Sequence, residues 1–123
     1  MSAITNANRK MAAEAHEKDD AFVVMQCIRL FNTCLSETLR KKNTRTALDI
    51  LYQYRRLASD LRGDHDLVLK IGGFFRAYAE LAENLGRTFV AQFIAFDLCK
   101  VMRRAYRQND RVGSQLLELL LSL

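Results

Sequence analysis

No proline interrupts the chain, and along all 123 residues the hydrophobic side chains return every third or fourth position. That is the period of a helix face, and no segment shows the sustained alternation of a half-buried strand. A sandwich or barrel also needs frequent turn residues, which five glycines without proline do not supply. The expected fold is all-α, built from consecutive antiparallel αα-hairpins. Both a helical-repeat-like array and a six-helix bundle fit this pattern.

Local signals divide the chain into six helices. An Ala-rich, weakly amphipathic helix is expected from Ile4 to Lys18. Asp19 or Asp20 can cap the next, Ala21 to Lys41, with Val24, Ile28, Phe31, Leu35 and Leu39 on one face. Asn43 is suited to cap a third helix with its seam on Ala47, Leu51, Tyr54, Ala58 and Leu61. Gly63 stands where a left-handed residue would close it. Asp64 then caps a fourth helix carrying Leu67, Val68, Ile71, Phe74, Tyr78, Leu81 and Leu85, closed by Gly86. Thr88 is expected to cap a fifth, with Val90, Ile94, Leu98, Val101 and Ala105 on one face and Phe89, Phe93 and Phe96 beside it. Asp110 opens a sixth.

The turns after Ala15, Ala58 and Ala105 occupy equivalent places, 43 and 47 residues apart. This spacing is near the helix-pair period of HEAT and armadillo arrays. It predicts a single domain, 1–123, of three hairpins at about 4–41, 44–85 and 88–123. The last hairpin has the shorter second helix and stops within a leucine run, as a segment trimmed from a longer protein would. Leu116, Leu117, Leu119, Leu120, Leu121 and Leu123 cover more than one helical face. They predict self-association, since a terminal repeat normally presents a polar outer face.

Nineteen Lys and Arg against fourteen Asp and Glu leave a net charge of +5, which permits an anionic partner without demanding one. The cations gather as Arg40, Lys41, Lys42 and Arg45, and as Arg103, Arg104, Arg107 and Arg111. Both groups also complement helix C-termini, which explains them without any partner. Cys27 and Cys34, on one helix, would lie roughly 10 Å apart, beyond disulfide reach. With Cys99 they make an odd count of thiols, as expected in a reducing, cytoplasmic setting. The longest apolar stretch, Phe89 to Cys99, contains Asp97 and falls short of a bilayer span.

Few residues suggest chemistry. Asp97 is the lone charge on its stretch and is expected in a structural ion pair, with Lys100 at the rim or with Arg56 or Arg76 from a neighbouring helix. Gly72-Gly73 interrupts the fourth helix, either for close packing or as a ligand-contacting kink near Phe74, Phe75 and Phe93. Glu80 and Glu83 lack the histidines of a di-metal site, and no Cys-x-x-Cys, Gly-x-Ser-x-Gly or phosphate loop is present. No catalytic residues, metal or cofactor are expected. The aromatic residues fall mostly on seam positions, which reads as core rather than as a platform for single-stranded nucleic acid.

The stretch Thr46 to Ala58, TALDILYQYRRLA, is followed by Phe75-Arg-Ala-Tyr78, Leu85-Gly-Arg-Thr-Phe-Val90 and Ala95-Phe-Asp-Leu98. Together they resemble the soluble helical region of uncharacterised bacterial predicted membrane proteins, in which transmembrane helices precede it. The likeness covers about 32–106 and consists of helix-seam residues, so no functional residue carries over. It implies the cytosolic part of a membrane-anchored protein. The hairpins also resemble tetratricopeptide and HEAT-like hairpins in general, without the Trp and terminal Pro of the former. The expected function is a non-enzymatic protein-interaction or oligomerisation module, with a protein partner or its own copy. The alternative is a basic helical domain docking on nucleic acid or an anionic membrane surface; no small-molecule substrate is indicated.

Overall fold

The computed structural model describes residues 2–61 and 63–123. Among them are six helices and no strand: α1 (Ser2–Glu17), α2 (Ala21–Arg40), α3 (Thr44–Asp60), α4 (His65–Asn84), α5 (Thr88–Gln108) and α6 (Asp110–Leu121). They group as two compact units, Met1–Asp60 and Leu61–Leu123. The boundary falls inside 44–85, so a three-plus-three grouping stands where three hairpins were expected. The reason lies in the apolar rows. That of α3 packs on α1 and α2, while that of α4 packs on α5 and α6.

Helix ends follow from local chemistry. Asp20, Asn43 and Asp64 each accept a backbone N–H three residues on, at 3.2 Å, satisfying donors that the first turn leaves open. One expected cap is displaced: Arg87 rather than Thr88 precedes α5 and makes no side-chain cap. α6 begins at Asp110 as expected, capped by Asn109. Gly86 closes α4 with φ +74°, and among the described residues Asp19 and Lys42 are left-handed as well. At all three the following amide returns to a carbonyl five residues back, Asp20 to Ala15, Asn43 to Thr38 and Arg87 to Ala82. That is the Schellman closure.

In the first unit the expected seam of α2 and that of α3 from Ala47 to Ala58 are buried without exception. Phe31 stacks on Tyr54 with ring centroids 4.9 Å apart, and the Tyr54 hydroxyl donates to Asn32 Oδ1 at 2.8 Å. α1 departs from its pattern. It turns Thr5, Asn8, Arg9, Ala12 and Ala15 inward and leaves Ile4 and Met11 exposed. Its polar inner face is satisfied residue by residue. Asn8 donates to the Cys27 carbonyl at 2.9 Å. Arg9 donates to Asp60 Oδ2 at 2.9 Å and to Gln53 Oε1 and Asn6 Oδ1 at 3.0 Å.

This fork ties α1 to α3. The Arg9 side chain is 9% exposed and that of Asp60 36%, so water screens one partner and the pair is worth less than a fully buried one. Arg9→Ala is expected to lower stability by about 2 kcal/mol, and Arg9→Lys to recover less than half, because an ammonium cannot reproduce the three-way fork. Urea titration followed by circular dichroism reads both.

In the second unit the α5 seam is buried as expected, but α4 is rotated by one residue. Val68, Ile71, Gly72, Phe75, Ala79 and Ala82 are its buried residues, while Phe74, Tyr78, Leu81 and Leu85 are half-exposed. Small residues at the centre of this face admit the neighbouring helices closely. A Cβ at Gly72 would run into Leu116 Cδ2, whereas one at Gly73 would meet nothing within 4 Å. Close packing therefore explains Gly72, and the Leu116 side chain fills the space that a ligand-contacting kink would need. Gly113 on α6 likewise accommodates the Tyr106 ring, whose hydroxyl pairs with Ser114 Oγ at 3.3 Å.

Candidate functional site: the outer face of α5

α5 carries two apolar rows. One, from Val90 to Ala105, is the seam of its unit. The other is Phe89, Phe93 and Phe96, which are 65%, 38% and 59% exposed. Lys100, Arg103 and Arg107 continue this second row at the same 4-3-4-3-4 spacing. On a helix such spacing keeps side chains on one meridian, the 3.5-residue period of a coiled-coil seam. Phenylalanine occupies its N-terminal half and cations its C-terminal half.

The local electrostatics are one-sided. The exposed or half-exposed charges of α5 are Lys100, Arg103, Arg104 and Arg107, and its one carboxylate, Asp97, is buried. The Lys100 ammonium lies 4.7 Å from the Phe96 ring centroid, a cation–π contact that joins the two halves. The rings of Phe89 and Phe93 are 6.3 Å apart and tilted by 47°.

Asp97 is not left without a partner, as its burial requires. Of the cations considered for it, Arg76 donates to Ser122 Oγ at 2.6 Å and lies 3.5 Å from Glu80, and Arg56 sits over the Tyr52 ring. The expected basic surface divides between the units. Arg40, Lys41, Lys42 and Arg45 are exposed around the α2–α3 turn, with Lys41 paired to Glu37 at 2.9 Å. Arg103, Arg104, Arg107 and Arg111 are exposed on α5 and α6.

The leucines expected to self-associate also divide. Leu116 is fully buried on Gly72 and leaves that set. Leu117, Leu119 and Leu120 are half-buried, and only Leu121 and Leu123 are exposed. The end of α6 is held to α4 by Arg76 and Ser122, whose hydroxyl also donates to the Leu119 carbonyl at 2.8 Å.

The aromatic residues need the larger correction. Phe31, Tyr54 and Phe75 are core, but Phe22, Tyr52, Phe89, Phe93 and Phe96 lie in solvent. The signal was present in the 89-93-96-100-103-107 spacing, which forms a row separate from the one through Val90 and Ile94.

Among the described residues no group of three or more His, Cys, Asp or Glu could hold a metal ion, and no helix is long and apolar enough to cross a membrane. Cys27, Cys34 and Cys99 are free thiols. Burial pushes the Cys27 thiol up, and burial followed by the Glu37 charge does the same at Cys34. Since the thiolate is the nucleophile, both are expected to react with a disulfide reagent about ten-fold more slowly in the native chain than in urea. Absorbance kinetics at pH 8 check this.

The sequence matches no protein-family model, and comparison with curated proteins and with solved structures finds no match. Function is therefore read from the residues themselves.

Proposed function

We propose that the chain is a non-enzymatic helical interaction module that docks with a protein partner or a second copy of itself, in a cytoplasmic setting that suits its free thiols. What carries the reading is the outward row of three phenylalanines on α5. Exposed side chains of this size gain on the order of 25 cal/mol per Å² of apolar surface when a partner covers them. A contiguous row, unlike scattered surface hydrophobes, marks an interaction face. Leu121 and Leu123 offer a second, smaller contact at the end of α6.

Solution mass by sedimentation, across protein concentration and from low to 1 M salt, tests this. Where the partner is a second copy, association beyond 14.1 kDa should persist in salt and be lost in a Phe93→Ser/Phe96→Ser variant. An exposed cationic cluster favours one other reading, docking on nucleic acid or an anionic membrane. In that case a monomer would bind oligonucleotide or anionic vesicles, lose about 10³-fold or more affinity as salt rises, and ignore the phenylalanine changes. That outcome replaces the proposal.

A further inference from the structure

The occupant of the α5 row can be specified further, on the basis of the interaction reading above. We propose that Phe89, Phe93, Phe96, Lys100, Arg103 and Arg107 form a docking track for an acidic amphipathic helix of a protein partner. The partner's apolar side chains would lie on the phenylalanines and its carboxylates on the three cations.

Three observations select this occupant. The first is the spacing. A 4-3-4-3-4 row is the register in which a second helix laid along α5 finds a contact at each turn, and from Phe89 to Arg107 it runs about 27 Å. The second is charge. The accessible charges of α5 are all positive, so the complementary surface is acidic. The third is the order of the two halves. Apolar and cationic residues follow one another end to end on the same meridian.

That order disfavours the other occupants. On a helix lying in a membrane surface, cations flank the apolar face. Here, burying the phenylalanines would press Lys100, Arg103 and Arg107 toward the same depth. Stacked nucleobases need aligned ring planes, and Phe89 and Phe93 are inclined to one another by 47°. A second copy of α5 laid parallel would set cation against cation. Laid antiparallel, it would set rings against cations and bring no carboxylate to either.

The test uses the intact chain and two synthetic peptides of identical composition, each 21 residues and helix-stabilised. In the segregated peptide, leucine fills the seam of one half and glutamate that of the other. In the interspersed peptide, leucine and glutamate alternate along the seam. Fluorescence anisotropy should show the segregated peptide binding at least ten-fold more tightly. Phe93→Ala/Phe96→Ala and Arg103→Glu/Arg107→Glu should each weaken it ten-fold or more with an unchanged helical circular dichroism spectrum. A segregated peptide bearing lysine for glutamate should restore binding to the charge-reversed variant.

Equal binding of the two peptides, or no restoration by the lysine peptide, overturns the track. So does binding of phosphatidylserine vesicles or a dT oligomer in place of either peptide. If the peptides fail while the sedimentation series shows salt-resistant assembly abolished by Phe93→Ser/Phe96→Ser, the occupant is wrong and the interaction reading stands. If both fail, both are rejected.

Discussion

Tyr54→Ala is expected to cost about 3–5 kcal/mol, enough to unfold much of the α1–α3 unit at room temperature. A unit of this size holds only a few kcal/mol in reserve, because a short chain buries a smaller fraction of its surface than a long one. Tyr54 concentrates much of what it does bury. Its ring has no exposed surface, lies nearly parallel to that of Phe31 at an interplanar angle of 8°, and spans the contact between α2 and α3. Removing it leaves a cavity as well as losing transfer energy, since close-packed neighbours relax only in part. Tyr54→Phe keeps the stack and loses the 2.8 Å hydrogen bond to Asn32. It should cost about 1 kcal/mol, because the half-exposed Asn32 can turn to water. The difference between the variants isolates ring packing from hydroxyl pairing, and urea unfolding of both measures it. A Tyr54→Ala cost below about 1.5 kcal/mol would mean that the unit is not organised around this residue.

The same residues show what a sequence of this kind discloses. The seams of α2, α3 and α5 were legible because each is a row of bulky apolar residues at helical spacing, and burial follows area. α4 misled because half of its inner face is small, Gly72, Ala79 and Ala82 beside Val68, Ile71 and Phe75. The small residues admit neighbours closely, while the bulkier Phe74, Tyr78 and Leu81 turn partly outward. α1 was illegible for the opposite reason: its inner face is polar and is justified only by partners such as Asp60, 51 residues from Arg9. The grouping of helices was hidden too, since spacing along the chain does not say which apolar rows face one another. The α5 track was half visible. Its cations stand out in the sequence, but its phenylalanines read as core because a second apolar row on one helix looks like a widening of the first.

The contact between Gly72 and Leu116 yields a result that neither residue predicts alone. Leu116→Ala should destabilise by about 2–5 kcal/mol, because the side chain is wholly buried and its loss opens a cavity between α4 and α6. Gly72→Ala in the native background sets two effects against each other. Alanine gains about 1 kcal/mol in helix propensity, while its Cβ overlaps Leu116 Cδ2. That atom is the end of a flexible side chain, but Leu98 and Leu119 stand 3.5 and 3.7 Å from the same Cβ position and restrict where it can turn. The net change should be a loss of about 0–1 kcal/mol, within the lower range of overpacking costs. In the Leu116→Ala background the obstacle is gone, and Gly72→Ala should become stabilising by about 1 kcal/mol as propensity acts unopposed. The double-mutant cycle should return a coupling of about 1–2 kcal/mol. Gly73→Ala is the control: with open space around its Cβ, it should stabilise by about 0.5–1 kcal/mol in both backgrounds. Urea titrations of these variants measure every leg. If Gly72→Ala changed stability equally with and without Leu116, the glycine would not be the seat of that leucine, and the end of α6 would be anchored chiefly by Arg76 and Ser122.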